Sequence, residues 1–135
     1  FYSILRFPGI YGFSGPGHLG INVSIKNVLN DKKPVLYGNG LAKRNYIFVD
    51  DAARIILRLI KKKKKGIFYT GGETVTFKQM FRDIYNFWFP GTKIIQRKLK
   101  NNTHDQLSII SKNFSFYTSF RNSLKKINKE KLKHV

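Results

Sequence analysis

The sequence predicts an α/β fold, in which short β-strands alternate with amphipathic helices. Runs of aliphatic, aromatic and β-branched residues at 3–7, 35–37, 46–49 and 67–70 are typical of strands. In most of the segments that separate or follow them, apolar residues recur at intervals of three and four, the period of one helical face. A chain of 135 residues with 41% apolar residues has the length and composition of one folded domain.

The first helix is predicted over residues 21–31, where the apolar residues share one face. Lys33-Pro34 should end it, because proline lacks the N–H group that a helix needs. A short strand at 35–37 then leads into Gly38-Asn39-Gly40, which is typical of a tight turn.

The second predicted helix starts at Asp50 and Asp51, whose carboxylates are expected to cap its free backbone N–H groups. Gly66 is expected to end it, so that the lysine run 61–65 falls at the carboxyl end, where cations are favourable. We predict that its apolar side chains form the buried face, namely Ala53, Ile56, Leu57 and Ile60.

The third predicted helix has the clearest start, a capping box formed by Thr76 and Gln79. Aromatic and aliphatic residues then repeat at helical spacing until Pro90-Gly91, and such a stripe is typical of a core. Residues 107–110 are a candidate strand. A final helix is suggested by Phe120, Leu124 and Ile127, and the basic tail 129–135 is expected to fray.

The charge favours anionic partners without selecting one. The net charge is +19, and residues 61–135 hold 18 basic and 4 acidic residues against 8 and 3 in residues 1–60. A basic module for nucleic acid or an anionic membrane is therefore an alternative function. The chain has no cysteine for a disulfide, its three histidines lie too far apart for a metal site, and no apolar run could span a membrane. These features favour a cytoplasmic protein.

A glycine pattern at Gly15-x-Gly17-x-x-Gly20 matches the dinucleotide-binding fingerprint. In a true fingerprint the turn follows the strand at once, and an acidic residue lies about 20 residues further on. Here a loop separates the strand from the glycines, and residues 35–40 contain no acid. We therefore predict a loop at the mouth of a substrate cleft instead of a cofactor site.

Three motifs in order carry a resemblance to a known family. They are LRFPGIYG at residues 5–12, LYGNG at 36–40 and KRNYIFVDDAA at 43–53, followed by IFYTGG at 67–72 before the capped helix. This series resembles the extended short-chain dehydrogenase/reductase family, the NAD-dependent epimerases and dehydratases of nucleotide sugars. That family typically has an LRP-x-x-x-YGP strand and loop, a YGDG turn and an R-D-[FY]-I-[YH]-V-D-D segment.

The resemblance implies a carboxy-terminal part of that fold, with the last strands of a Rossmann-type sheet and a small α/β substrate-binding lobe in residues 1–128. The chain begins within a strand-like segment, so we expect a larger parent protein. By resemblance, the residues beside the cofactor are Pro8, Gly9 and Ile10. The implied substrate residues are Asn22 near the start of a helix, Leu36 and Tyr37 beside the nucleotide base, and Arg44 at the diphosphate, which a guanidinium fork suits.

The family's catalytic Tyr-x-x-x-Lys pair is absent, since none of the seven tyrosines has lysine four residues later. The resemblance therefore implies that the catalytic residues lie upstream and that this chain alone is inactive. The intact enzyme would use NAD or NADP and a nucleotide-diphosphate sugar. Its further partners would be the missing amino-terminal Rossmann half and, as an open alternative, a second copy in a homodimer.

Overall fold

The structure, a computed structural model, describes residues 2–114 and 117–135 and confirms the α/β class. Its helices are α1 (Gly20–Leu29), α2 (Val49–Lys62), α3 (Phe77–Trp88) and α4 (Phe120–Lys133). Its strands are β1 (Ser3–Arg6), β2 (Ile10–Tyr11), β3 (Val35–Tyr37), β4 (Lys43–Arg44), β5 (Ile47–Phe48), β6 (Gly66–Tyr69), β7 (Val75–Thr76) and β8 (Ile95–Arg97).

The strands form four separate pairs within the described part of the chain. β1 and β6 run parallel, with Ser3 opposite Gly66 and Arg6 opposite Tyr69. β2–β5 and β3–β8 are also parallel, whereas β4–β7 is antiparallel. The parallel β1–β6 pair, joined through a helix, is the arrangement found in Rossmann-type sheets.

Two hydrophobic clusters hold these elements together. The large core joins α1, α3 and α4 to β3 through the buried residues Ile21, Ile25, Val28, Leu36, Met80, Phe81, Ile84, Tyr85, Phe120, Leu124 and Ile127, together with Tyr11 and Phe48. The small core lies between α2 and the β1–β6 pair and consists of Ile47, Ala52, Ile55, Leu59 and Phe114, with Leu5 and Phe68 against it. The large core therefore belongs to the helical lobe and the small core to the sheet.

The predicted buried face of α2 is wrong. The buried residues are Ala52, Ile55 and Leu59 together with Asp51, whereas the predicted residues Ala53, Ile56, Leu57 and Ile60 are exposed. Both sets have helical spacing, so α2 carries two adjacent apolar strips, and the small core covers only one of them.

The start and end of α2 also differ from the prediction. The helix begins at Val49, so Asp50 and Asp51 lie in its first turn and neither side chain caps it. Asp51 is fully buried and accepts hydrogen bonds from the backbone N–H and the hydroxyl of Thr118, at 2.9 and 3.0 Å. The helix ends in a left-handed residue at Lys63 (φ 46°), and Gly66 begins β6 instead.

The predicted start of α3 is confirmed, because the Thr76 hydroxyl accepts from the Gln79 N–H at 3.1 Å. Within the described residues, positions 107–110 form no strand. The strand that follows α3 is β8 instead, and it pairs with β3. α4 continues through Lys133, and the fraying of the basic tail 129–135 stays a prediction.

Candidate functional site

The turn after β1 places Pro8 and Gly9 beside β4 and β5. The Gly9 carbonyl accepts from the Ile47 N–H, and Ile10 pairs with Ile47 in the β2–β5 ladder. A Cβ atom on Gly9 would lie 2.7 Å from Cδ1 of Tyr46 and 2.8 Å from Cδ1 of Leu19. Only glycine therefore fits this turn without moving its neighbours.

Pro8 and Gly9 open into a cavity of about 520 Å³, here called the Arg44 cavity. Phe7 lines it beside them, and the remaining lining comes from the end of β4, the residues between β4 and β5, and a later segment, namely Arg44, Asn45, Tyr46, Asp105, Gln106, Leu107 and Ser108. The cavity lies beyond the carboxyl end of β1, the side of a parallel sheet where α/β proteins bind their ligands.

Arg44 and Asp105 are the charged residues in the wall of this cavity, and Arg44 is only 6% exposed. Its Nη1 donates to the carbonyl oxygens of Lys43 and His104, both at 2.8 Å. Its guanidinium carbon lies 4.9 Å from the centre of the Phe77 ring. Among the described residues its Nε has no hydrogen-bond partner and no carboxylate lies within salt-bridge distance. A buried cation with a free donor is suited to an anionic ligand.

Sequence reasoning missed the segment 102–108, in which the His104 carbonyl accepts from Arg44 and residues 105–108 line the Arg44 cavity. The Lys43 N–H donates to the Asp105 carboxylate at 2.8 Å. Asn45 and Ser108 exchange two hydrogen bonds, from Asn45 Nδ2 to the Ser108 carbonyl and from the Ser108 N–H to Asn45 Oδ1. Such loop contacts follow no regular spacing in the sequence. The only feature that could have indicated them is the presence of Asn, Asp and Ser in the segment.

A second cavity of about 390 Å³, here called the Tyr37 cavity, lies between α1, β3 and α3. Tyr37 is 59% exposed at its edge, whereas Leu36 is buried in its floor. The remaining lining is mostly apolar, with Gly20, Val23, Ser24, Asn27, Val35, Phe77, Phe81, Leu99 and Thr103. An apolar cavity with an exposed aromatic ring suits a flat heterocycle.

Phe77 connects the two cavities. Its ring lines the Tyr37 cavity and lies under the guanidinium of Arg44. The Phe77 N–H donates to the Ala42 carbonyl, and the Lys78 N–H donates to the Gly40 carbonyl, which attaches the start of α3 to the turn after β3. Gly40 has φ +70°, a conformation that other residues rarely adopt. Leu36 and Tyr37 on one side and Arg44 on the other are therefore linked through Phe77.

Asn22 lies apart from the open space of either cavity. It is buried, its Nδ2 donates to the carbonyls of Ile10 and Pro16, and its Oδ1 accepts from the Gly12 N–H. A Cβ atom on Gly15 would lie 2.2 Å from this Oδ1, so the glycine loop packs around Asn22. Asn22 thus holds the loop, and its contact with a substrate stays a prediction.

Among the described residues, the one carboxylate that lines either cavity is Asp105, which accepts from the Lys43 N–H. Tyr11 is buried and donates to Ser123 Oγ at 2.9 Å, and burial raises the pKa of its hydroxyl well above the usual range. Within residues 2–114 and 117–135, no group of three metal-ligating residues occurs. In the same part of the chain, no helix has the length and apolar character needed to cross a bilayer.

Comparison with known proteins gives the family. The model of the NAD dependent epimerase/dehydratase family matches residues 1–71, more than half of the chain. The chain belongs to this family. A curated relative, the putative UDP-glucose 4-epimerase of Methanocaldococcus jannaschii, is 26% identical over 83 residues, which are 59% of this chain and 27% of that protein.

Solved structures show the same fold over nearly the whole chain. UDP-glucuronic acid 4-epimerase of Bacillus cereus, in complex with UDP-glucuronic acid and NAD, has a TM-score of 0.77 at 21% identity, covering 98% of this chain and 46% of that one. dTDP-glucose 4,6-dehydratase of Bacillus anthracis, in complex with NAD, has a TM-score of 0.74 at 24% identity, covering 97% and 44%. The chain thus spans less than half of these proteins and corresponds to part of their Rossmann-like fold.

Proposed function

We propose that this chain is the substrate-binding part of an NAD(P)-dependent nucleotide-sugar epimerase or dehydratase. The observation that carries the proposal is the Phe77 ring, which lines the Tyr37 cavity on one side and supports the buried guanidinium of Arg44 on the other. A nucleoside diphosphate has the matching order of parts, a flat apolar base followed by an anionic diphosphate. Family membership supports the same class of substrate.

In this proposal each part of the substrate has its own contacts. The base lies between Leu36 and Tyr37, in the apolar cavity. The diphosphate lies against the guanidinium of Arg44, whose charge no described carboxylate neutralises, and this contact offsets the cost of holding a buried cation. The sugar then extends along the Arg44 cavity towards Pro8 and Gly9. Asn22 supports this arrangement indirectly, by holding the glycine loop that leads into Gly20 and the wall of the Tyr37 cavity.

The residues present fit the edge of a nicotinamide site. Pro8 and Gly9 follow the carboxyl end of a parallel strand and line an open cavity, while Ile10 packs against the small core. When bound, NAD or NADP supplies a hydride acceptor for transient oxidation of the sugar. The role of this chain is to close one side of that site and to orient the sugar beside it. The remaining cofactor contacts and the Tyr-x-x-x-Lys pair belong to a Rossmann half outside these 135 residues.

Calorimetry tests the substrate site. We expect UDP or dTDP to bind more tightly than inorganic pyrophosphate, which lacks the base, and than uridine, which lacks the phosphates. Incubation of the chain with NAD and a panel of nucleotide sugars tests the division of roles. Turnover would overturn the assignment of catalysis to the missing half, and equal affinity for all four ligands would overturn the two-cavity site.

A second candidate function is binding to a polyanion, and one observation favours it. A third cavity of about 270 Å³ is lined, within the described part of the chain, by Arg58, Leu59, Lys62, Lys64, Asn113 and Phe114, three of which are basic and none acidic. Binding of an oligonucleotide there should weaken steeply as salt is raised, because counterions are released. Strong, salt-sensitive oligonucleotide binding without nucleotide-sugar binding would favour this function over the first.

A further inference from the structure

Asn45 lies between β4 and β5 and attaches the segment 102–108 to the Arg44 cavity. The residue is buried, with only 3% of its surface exposed. Its Nδ2 donates to the Ser108 carbonyl at 2.8 Å, and its Oδ1 accepts from the Ser108 N–H at 2.9 Å. We call these two hydrogen bonds the Asn45 clamp. A side chain that both donates to and accepts from one residue fixes the distance and the orientation of that residue.

The turn after β6 holds Asn45 in turn. The Asn45 carbonyl accepts from the Gly72 N–H at 2.9 Å. A Cβ atom on Gly71 would lie 2.7 Å from the Nδ2 of Asn45, so a larger residue at position 71 would displace the amide. Asn45 therefore connects the turn after β6 to the segment 102–108.

The segment that the Asn45 clamp holds is also the segment that binds Arg44. The Arg44 Nη1 donates to the His104 carbonyl at 2.8 Å. Residues 105–108 line the Arg44 cavity together with Arg44 and Asn45. Residues 105–107 are exposed, so apolar burial contributes little to holding the segment, and hydrogen bonds fix its position.

A carboxylate in place of the amide could not form the clamp. The family pattern R-D-[FY]-I-[YH]-V-D-D has aspartate at this position, whereas this chain has Asn45. An ionised carboxylate has no donor, so its oxygen would face the Ser108 carbonyl oxygen where a hydrogen bond now spans 2.8 Å. It would also add a negative charge to a wall whose charged residues, among those described, are Arg44 and Asp105.

We infer that Asn45 is a positioning residue for the diphosphate. Its neutral clamp holds residues 105–108 as one wall of the Arg44 cavity and, through the bond to His104, holds the Arg44 guanidinium against the ligand. This role rests on the proposed function, which puts the diphosphate in the Arg44 cavity. It involves a residue to which the resemblance assigns no role.

Asn45→Asp keeps the shape of the side chain and tests this role by calorimetry at about pH 8. We expect the Kd of UDP to rise about tenfold and the Kd of uridine to stay within about twofold, because Asn45 does not line the Tyr37 cavity. A residue that only stabilised the fold would affect both ligands alike. Asn101→Asp is the matched control, because it adds the same charge at an exposed residue that lines neither cavity, and it should leave both Kd values unchanged.

The pH dependence of the same variant separates the lost donor from a change of shape. Aspartate takes up a proton at a pKa near 3.9 in water, and burial raises that value. The protonated carboxyl group is neutral and can again donate to the Ser108 carbonyl. The Kd of UDP for Asn45→Asp, divided by that for the unaltered chain, should therefore fall from about tenfold at pH 8 to about twofold at pH 4. The other ionisable residues of the cavity lining and its hydrogen bonds are Arg44, Tyr46, His104 and Asp105. Both proteins contain them, so their titration cancels in the ratio.

Hydrogen exchange in the unaltered chain gives a measurement that needs no variant, and it decides the matter if Asn45→Asp does not unfold cooperatively. At a UDP concentration about ten times Kd, the Ser108 N–H should exchange about tenfold more slowly than in the free chain. Saturation with uridine should leave its rate unchanged, because uridine does not fill the Arg44 cavity.

Four results would each overturn the role of Asn45. They are an unchanged Kd of UDP in Asn45→Asp, an equal loss of uridine binding, an equal loss of UDP binding in Asn101→Asp, and a Ser108 exchange rate that UDP does not alter. A Kd ratio that does not fall with pH would contradict the donor as its cause. If the unaltered chain binds UDP, these results contradict only the role of Asn45. If it binds neither UDP nor pyrophosphate, the proposed function is contradicted and the role of Asn45 falls with it.

Discussion

Replacement of Arg44 by methionine separates its structural role from its role in ligand binding. Methionine has a similar length and keeps an apolar contact with Phe77, but it leaves the Lys43 and His104 carbonyls without their donor. Hydrogen bonds to a charged group contribute about 1.5 to 3 kcal/mol each, and relief of the buried charge offsets part of this. We expect the free energy of unfolding to fall by about 2 to 4 kcal/mol.

The ligand-dependent part is measured as the thermal shift produced by UDP. At a UDP concentration about tenfold above Kd, binding stabilises the unaltered chain by about 1.4 kcal/mol. For a chain of this length, that corresponds to a rise in Tm of roughly 4 to 6 °C. Differential scanning fluorimetry of Arg44→Met at the same UDP concentration should show almost none of this rise. Arg44→Lys should keep part of it, since lysine retains the charge but not the fork.

Arg121→Met is the matched control, because Arg121 is an exposed arginine on α4 that lines neither substrate cavity. Its UDP-dependent rise in Tm should equal that of the unaltered chain. If both methionine variants lose the rise equally, the attraction comes from the overall positive charge and not from Arg44. If Arg44→Met keeps the full rise, the diphosphate does not contact Arg44, and the reasoning from its buried, unneutralised charge is refuted.

Three further predictions concern the base, the buried carboxylate and the buried tyrosine. Tyr37→Ala should weaken UDP binding by about 1 to 3 kcal/mol, or roughly 5- to 150-fold in Kd, through loss of the aromatic contact with the base. Calorimetry measures this Kd, and an unchanged value would refute the placement of the base beside Tyr37. Asp51→Ala should lower the free energy of unfolding, measured in urea, by about 3 kcal/mol, because two donors of Thr118 lose their acceptor. Asp50→Ala, at an exposed carboxylate, should lower it by about 0.5 kcal/mol or less, and similar losses in the two variants would contradict the role of the Asp51–Thr118 hydrogen bonds. Because burial raises the pKa of Tyr11, the unfolded chain releases this proton near the ordinary value of 10.0 while the folded chain keeps it. Stability should thus fall as pH rises above about 10, by at most about 1.4 kcal/mol per pH unit from this group, and Tyr11→Phe should remove that part of the slope; an unchanged slope would contradict it.

Local signals in the sequence were sufficient for the elements with strong periodicity or a specific cap. The start of α3 followed from Thr76 and Gln79, because a side-chain cap depends only on neighbouring residues. The face of α2 was mispredicted for a physical reason. The helix has two adjacent apolar strips, and periodicity cannot tell which strip meets the core of this chain and which remains uncovered.

The candidate site residues came from the resemblance and from the chemistry of a guanidinium, and their contacts with a ligand stay a prediction. The structure places Pro8, Gly9 and Arg44 around one cavity and Leu36 and Tyr37 around the next. The burial of Arg44 could not be predicted, because it depends on the segment 102–108, about 60 residues away in sequence. β8 was missed because Gln96 and Arg97 lack the apolar pattern of a strand, and its pairing with β3 is a long-range contact.

The most direct test of the two-cavity site is a titration of the 15N-labelled chain with UDP, followed by amide chemical shifts. The account predicts shifts that saturate together at Gly9 and Arg44 in one cavity and at Leu36 and Tyr37 in the other. Uridine should shift only the second pair, and pyrophosphate only the first. Shifts confined to Arg58, Lys62 and Lys64, or no saturable shift at either cavity, would contradict the claim that this chain binds a nucleoside diphosphate across Phe77.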